Sequence, residues 1–168
     1  MLEELDLKAT FFVIGRTAES GELPWLHAIH EILDTVSTAR CASVFQKAAP
    51  RSFTVGSITK NELCQQVRRY FDEHDRRTRR RFIDNIRAEL GGEARRAYRF
   101  LEAAHIRELH ERGFEIGCHS MEHDYMSRLS DAELLADVRQ CKEVLVGVLG
   151  RPPSTFCYPF GGKNSFDG

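Results

Sequence analysis

The sequence lacks both the long apolar run of a membrane span and the charge excess of a nucleic-acid-binding chain. No uninterrupted apolar stretch in the 168 residues approaches the roughly 18–20 residues that cross a bilayer. Acidic and basic side chains number 25 and 24, which leaves a net charge of −1 and no overall attraction to nucleic acid or an anionic surface. The acidic first residues also lack the basic-then-apolar order of a signal peptide. We therefore expect neither nucleic acid nor membrane as a partner.

Cysteine is present but not in the patterns that build disulfide frameworks or cysteine zinc sites. The five cysteines are odd in number and widely spaced, and no C-x-x-C occurs. Cys118 and Cys157 lie in apolar, strand-like runs, where we expect buried thiols. Unpaired cysteines of this kind are typical of a reducing setting, so the predicted location is cytoplasmic.

Hydrophobic residues make up 42% of the chain, enough for one sizeable core and a single domain. Short apolar runs predict strands at about 9–14, 114–118 and 155–158. Helical periodicity predicts helices at 24–36, 102–112 and 131–149. Strands that alternate with helices favour an α/β fold in which a parallel sheet carries helices on its outer face.

The middle of the chain is less regular. Residues 35–56 read as a loop with a short strand at 52–55, and 63–90 as a long helical section that ends at Gly91 and Gly92. The run from Arg68 to Arg81 holds seven arginines against three acids, which fits the solvated face of a helix better than a binding patch.

Two histidines follow the predicted strand 114–118. His119 and His123 are residues i and i+4, so one helical or tight turn would point both imidazoles the same way. Two converging imidazoles form half of a first-row metal site. The alternative is a pair of surface or capping histidines. The position at the C-terminal end of a strand, where barrel enzymes collect their chemistry, favours the metal site.

Three segments together resemble the polysaccharide deacetylase family, the NodB-type domains of carbohydrate esterase family 4. Residues 8–15 (KATFFVIG) are similar to the family's second barrel strand, and His119 and His123 match its metal motif. Residues 156–161 (FCYPFG) are similar to its third motif. The resemblance covers about 8–36 and 100–163, with 37–99 as a helical insertion in one partial domain.

The resemblance implies an incomplete distorted (β/α) barrel with parallel strands and outer helices. It implies a divalent metal, zinc first and cobalt, nickel or manganese as alternatives, held by His119 and His123. It gives the backbone N–H of Phe160 to the oxyanion and adds substrate contacts from Tyr158, Pro159 and Gly161. The implied reaction is removal of acetyl groups from N-acetylated sugars.

The chain also departs from the family pattern. The Asp-Asp motif that supplies the base and the third metal ligand is absent from the seven residues before Lys8, and the later motifs would lie beyond Gly168. Asp167 reads as a solvated terminal residue. Asp124 stands where the family commonly has proline, either as a carboxylate near the metal or, as we expect, exposed on a loop. Cys157 takes the place of the motif arginine.

Three functions are compatible with this sequence. The first is a deacetylase-type hydrolase represented by a partial domain. The second is a catalytically inactive member of that family, and the third is a structural or interaction protein without metal chemistry. For residues 1–168 alone we expect weak metal binding, little release of acetate, and self-association through open barrel edges.

Overall fold

The computed structural model describes residues 2, 4–54, 56–92 and 98–162. The chain divides into two compact units, one formed by Met1–Pro24 with Phe100–Gly168 and the other by Trp25–Arg99. The fold is α/β and mostly helical. Among the described residues, no helix combines the length and apolar character that a membrane crossing requires.

The first unit is built on a small parallel sheet. Strand β1 (Thr10–Val13) pairs in parallel with β2 (Glu115–Cys118), with Val13 opposite Cys118. Helices α1 (Gly15–Ser20), α6 (Ala103–Glu111) and α7 (Asp131–Leu149) belong to the same unit, as does a 3₁₀ turn at Met126–Arg128. The predicted strands at 9–14 and 114–118 and their parallel direction are confirmed. A barrel stays a prediction.

The third predicted strand, 155–158, is reduced to a single parallel bridge. Phe156 bridges Cys118, the Cys118 N–H donates to Thr155 O at 2.9 Å, and the Cys157 N–H donates to Cys118 O at 3.0 Å. Pro159 has no N–H to donate, which limits how far a ladder can extend along this segment. The bridge still brings residues 155–157 beside the end of β2.

Helices α6 and α7 pack against β2 and against each other, and α1 packs on α7. Alternate side chains of the two strands face this helical layer, as the two-residue period of a strand requires. The apolar core consists of Val13, Ala18, Ile106, Ile116, Cys118, Met121, Cys141 and Leu145. The core therefore lies directly beneath the ends of β1 and β2.

The second unit is helical. It contains α2 (Trp25–Thr35), α3 (Thr38–Ala48), α4 (Lys60–Glu73) and α5 (Arg76–Leu90). Its interior is aromatic: Phe53 stacks on Phe82 with ring centroids 5.2 Å apart, and Trp25 stacks on Phe71 at 4.4 Å. These contacts are individually modest, about 0.5–1.5 kcal/mol beyond area burial, but they recur through the unit.

Three sequence expectations for this unit are wrong. Residues 38–48 form a helix rather than a loop, because Ser37 caps it and Cys41, Val44 and Phe45 bury one face. The long helical section predicted at 63–90 is two helices, because the Asp75 side chain accepts from the Thr78 N–H and starts the second one. Residues 52–54 form no strand, and Val55 lies outside the described residues.

Candidate functional site

His119 stands directly after the C-terminal end of β2. Its N–H donates to Val13 O at 2.9 Å, so β1 fixes the backbone of His119. Its ring Nδ1 lies 2.9 Å from the carbonyl oxygen of Cys157. Because a carbonyl oxygen only accepts, Nδ1 carries the hydrogen and donates it. In this tautomer the lone pair is on Nε2, so His119 would bind a metal through Nε2.

His123 faces His119 across a tight loop. The ring centroids are 4.9 Å apart with planes inclined at 71°, so the two imidazoles meet edge to face. The His123 side chain is 8% exposed, whereas that of His119 is partly exposed. The predicted convergence of the two rings is observed. It favours the metal site over the alternative of two unrelated surface histidines.

The loop between the histidines has an unusual backbone. Ser120 and His123 have φ values of +62° and +56°, in the left-handed region that non-glycine residues rarely adopt. The Ser120 side chain is fully buried, and its Oγ accepts from the His123 N–H at 2.8 Å. This hydrogen bond closes the loop and explains why the rings meet without a helical turn.

The loop is held from two sides. The N–H groups of Gly15 and Arg16, at the start of α1, donate to Ser120 O and Met121 O, both at 2.9 Å. The Met121 N–H donates to Asp137 Oδ1 on α7 at 2.7 Å. A Cβ on residue 15 would lie 2.5 Å from Met121 Sδ and 3.1 Å from the Cα of Cys141, so a larger residue would displace the Met121 side chain or crowd α7.

Glu122 is engaged by an arginine. Arg16 Nε donates to Glu122 Oε1 at 3.0 Å, and its NH2 group contacts the same oxygen. This hydrogen bond is the largest influence on the guanidinium and raises the pKa of Arg16. One of the two carboxylates adjacent to His123 in sequence is therefore committed to α1.

Phe160 lies against the histidine pair. Its ring meets His123 edge to face at a centroid distance of 4.9 Å and stacks on Tyr125 at 4.2 Å with planes 17° apart. The Arg128 guanidinium lies 4.5 Å from the centroid of Tyr125. The turn that follows the bridge therefore reaches the histidines, as expected, and the oxyanion role of the Phe160 N–H stays a prediction.

The other predicted contact residues flank Phe160. The Tyr158 ring is 48% exposed and packs edge to face on Phe156 at 5.4 Å. Pro159 is partly buried, and a Cβ on Gly161 would meet no atom within 4 Å. The contact of these residues with a substrate stays a prediction.

The donor set matches a metal only in part. The imidazoles of His119 and His123 provide two nitrogen ligands of the kind that zinc prefers. Across residues 2, 4–54, 56–92 and 98–162, no cluster of three or more His, Cys, Asp or Glu side chains is placed to hold an ion. The expectation that Asp124 is exposed is wrong, since only 3% of it is exposed. Asp167 lies outside the described residues.

Sequence reasoning missed the residues that shape the loop. Asp137 is 1% exposed although it is charged, and it shares the buried face of α7 with Cys141 and Leu145. A charged residue at helical spacing within an apolar stripe was the available signal. For Ser120 and Arg16 the sequence held no such signal, because their roles depend on contacts between distant segments.

One comparison with known proteins gave a match. The sequence model of the family described as polysaccharide deacetylase matches residues 1–165, which is nearly the whole chain. Neither the curated proteins nor the solved structures gave a match. The matched range includes β1, the histidine loop of β2 and the Phe160 turn. The chain belongs to the polysaccharide deacetylase family.

Proposed function

We propose that this chain provides the histidine pair of a metal-dependent hydrolase that removes acetyl groups from N-acetylated sugars. The observation that supports it most is the pair itself, with ring centroids 4.9 Å apart at the end of β2. The Cys157 carbonyl fixes the tautomer of His119. Membership in the family gives the reaction class, and the barrel and the cytoplasmic location belong to the same proposal.

His119 and His123 would hold the divalent metal, with zinc preferred because it favours imidazole nitrogen in open sites. A metal bound there would polarise an acyl carbonyl and lower the pKa of a water toward neutrality. The chain's own contribution is orientation: Cys157 O fixes the His119 ring, Phe160 packs against the His123 ring, and Ser120 fixes the His123 backbone. The Phe160 N–H is proposed to donate to the developing oxyanion.

Amide hydrolysis also needs a base for the water and an acid for the leaving amine. Among the described residues, no carboxylate joins the two histidines as a third ligand, and Glu122 is held by Arg16. Lack of a general base typically costs about 10²–10⁴-fold in rate. We therefore expect the 168-residue chain to release acetate slowly.

The test is acetate release from N-acetylated sugar oligomers with zinc, with and without formate as a small external carboxylate base. We expect slow release that rises with formate concentration and disappears in His123→Ala. His110→Ala, which changes a histidine on α6, should retain the rate of the unsubstituted chain.

Two results would contradict the proposal. No release above the buffer rate at any zinc and formate concentration would favour the catalytically inactive family member instead. Equal release by the unsubstituted chain and by His123→Ala would remove the histidine pair from the chemistry.

A further inference from the structure

Asp137 is a buried carboxylate of the first unit. It lies on α7, only 1% of it is exposed, and its Oδ1 accepts from the Met121 N–H at 2.7 Å. Met121 stands between His119 and His123. We propose that Asp137 is a positioning residue that fixes the Met121 peptide and thereby holds the two imidazoles at their observed separation.

The loop needs such a support because its backbone adopts an unfavourable conformation. Ser120 and His123 both have positive φ, a conformation that persists only where the surrounding structure over-determines it. The Ser120 hydroxyl closes the loop from within by accepting from the His123 N–H at 2.8 Å. That bond leaves the Met121 peptide, in the centre of the loop, to be fixed from outside.

The Met121 residue is held at both of its main-chain polar groups. Its carbonyl accepts from the Arg16 N–H at 2.9 Å, and its N–H donates to Asp137 at 2.7 Å. The carbonyl is therefore tied to α1 and the N–H to α7. Without the Asp137 carboxylate, the Met121 N–H would be buried without that acceptor, and the peptide would rotate toward another acceptor.

The proposal extends beyond fold stability because of where Asp137 acts. It bonds to the peptide that links the histidines, and through that peptide it sets how the rings face each other. Supporting residues of this kind commonly change metal affinity by about 10–100-fold when they are substituted. The inference rests on the proposed function, because it concerns the alignment of the same pair.

The test compares three variants of the full chain. Asp137→Leu removes the acceptor while keeping the number and branching of the side-chain heavy atoms, and Asp137→Asn keeps an oxygen at Oδ1. Leu145→Ala is the matched control, since Leu145 is fully buried on the same helix but has no polar side-chain atom to accept from the Met121 N–H. Cobalt(II) affinity is measured by visible absorption, below the melting temperature of every variant.

We expect Asp137→Leu to weaken cobalt binding by about 10–100-fold. Asp137→Asn should stay within about threefold of the unsubstituted chain, because the hydrogen bond to Met121 is retained. Leu145→Ala should lower Tm yet bind cobalt as the unsubstituted chain does. An unchanged affinity in Asp137→Leu, or an equal loss in Leu145→Ala, would overturn the proposal.

Hydrogen exchange of the peptide containing residues 119–124 gives a second readout that needs no metal. Asp137→Leu should raise its exchange rate about tenfold or more, whereas Leu145→Ala, compared at equal stability, should not. If the unsubstituted chain binds no cobalt, the proposed function fails, and the exchange comparison alone decides the role of Asp137. Equal exchange in the two variants would then overturn it.

Discussion

At the scale of single residues, the sequence predicted which side chains meet but not how. The i, i+4 spacing of His119 and His123 predicted convergence if the chain makes a helical or tight turn there, and the position after a predicted strand favoured it. The sequence did not predict the positive φ of Ser120 or the burial of Asp124. The loop that contains Ser120 is held by Gly15 and by Asp137 on α7, and the local sequence pattern does not reveal these contacts.

Ser120 gives the first prediction at this scale. Replacement by alanine removes the oxygen that accepts from the His123 N–H and leaves that donor buried. We expect Ser120→Ala to lower the free energy of unfolding by about 1–3 kcal/mol, measured by urea denaturation. Ser43→Ala, at an exposed position of α3, should change it by less than about 0.5 kcal/mol. Equal effects would show that the loop hydrogen bond does not matter for stability.

Glu115 gives a pH-dependent prediction. The Thr10 hydroxyl donates to its Oε2 at 2.7 Å and lowers the pKa of Glu115 below the ordinary value of a glutamate. A folded pKa below the unfolded one stabilises the fold above the unfolded pKa, and this contribution is lost as pH falls through the folded value. The Tm difference between the unsubstituted chain and Glu115→Gln should therefore be largest near neutral pH and shrink below pH ~4. A difference that grows on acidification would contradict this assignment.

At the scale of elements, local signals predicted more than long-range ones. The helix at 131–149 has the expected bounds because Ser130 and Glu133 form a capping box and Gly150 ends it with φ of +73°. The helix Thr38–Ala48 was missed because small and polar residues dilute its apolar stripe. The third strand became one bridge, since pairing depends on neighbours that the local pattern does not reveal.

Two glycines in the same unit give opposite predictions. A Cβ on Gly117 would lie 2.6 Å from Thr155 Oγ1 and 2.7 Å from the Phe12 ring, so Gly117→Ala should destabilise by about 1–3 kcal/mol. A Cβ on Gly147 in α7 would meet nothing within 4 Å, so Gly147→Ala should stabilise by up to about 1 kcal/mol. Thermal unfolding of both variants checks the pair. A stable Gly117→Ala would mean that residues 155–157 do not pack against β2 as described.

At the scale of the whole molecule, the family match is broader than the sequence resemblance. The resemblance was confined to about 8–36 and 100–163, whereas the family model spans residues 1–165. The chain also divides into two units, with Trp25–Arg99 as the second. That residues 37–99 form a helical insertion in one domain stays a prediction, because helical periodicity alone does not assign a segment to a family.

Exposed aromatic side chains give a prediction of self-association. Phe12 on β1 is 40% exposed and Tyr158 is 48% exposed, and among the described residues β1 pairs only with β2. Open strand edges with exposed apolar groups tend to associate. We expect sedimentation to show concentration-dependent association that falls in a variant with Phe12→Ser and Tyr158→Ser. Leu135→Ser, at an exposed leucine of α7, should not reduce it to the same extent.

The most direct test of the account is metal binding by the histidine pair. Zinc and cobalt(II) are titrated into the 168-residue chain, into His119→Ala, into His123→Ala and into the double variant, with His110→Ala as the control. We predict weak binding of one ion per chain, lost in each site variant and retained in His110→Ala, because two imidazoles alone hold the metal. Identical binding by the unsubstituted chain and the double variant would contradict the account.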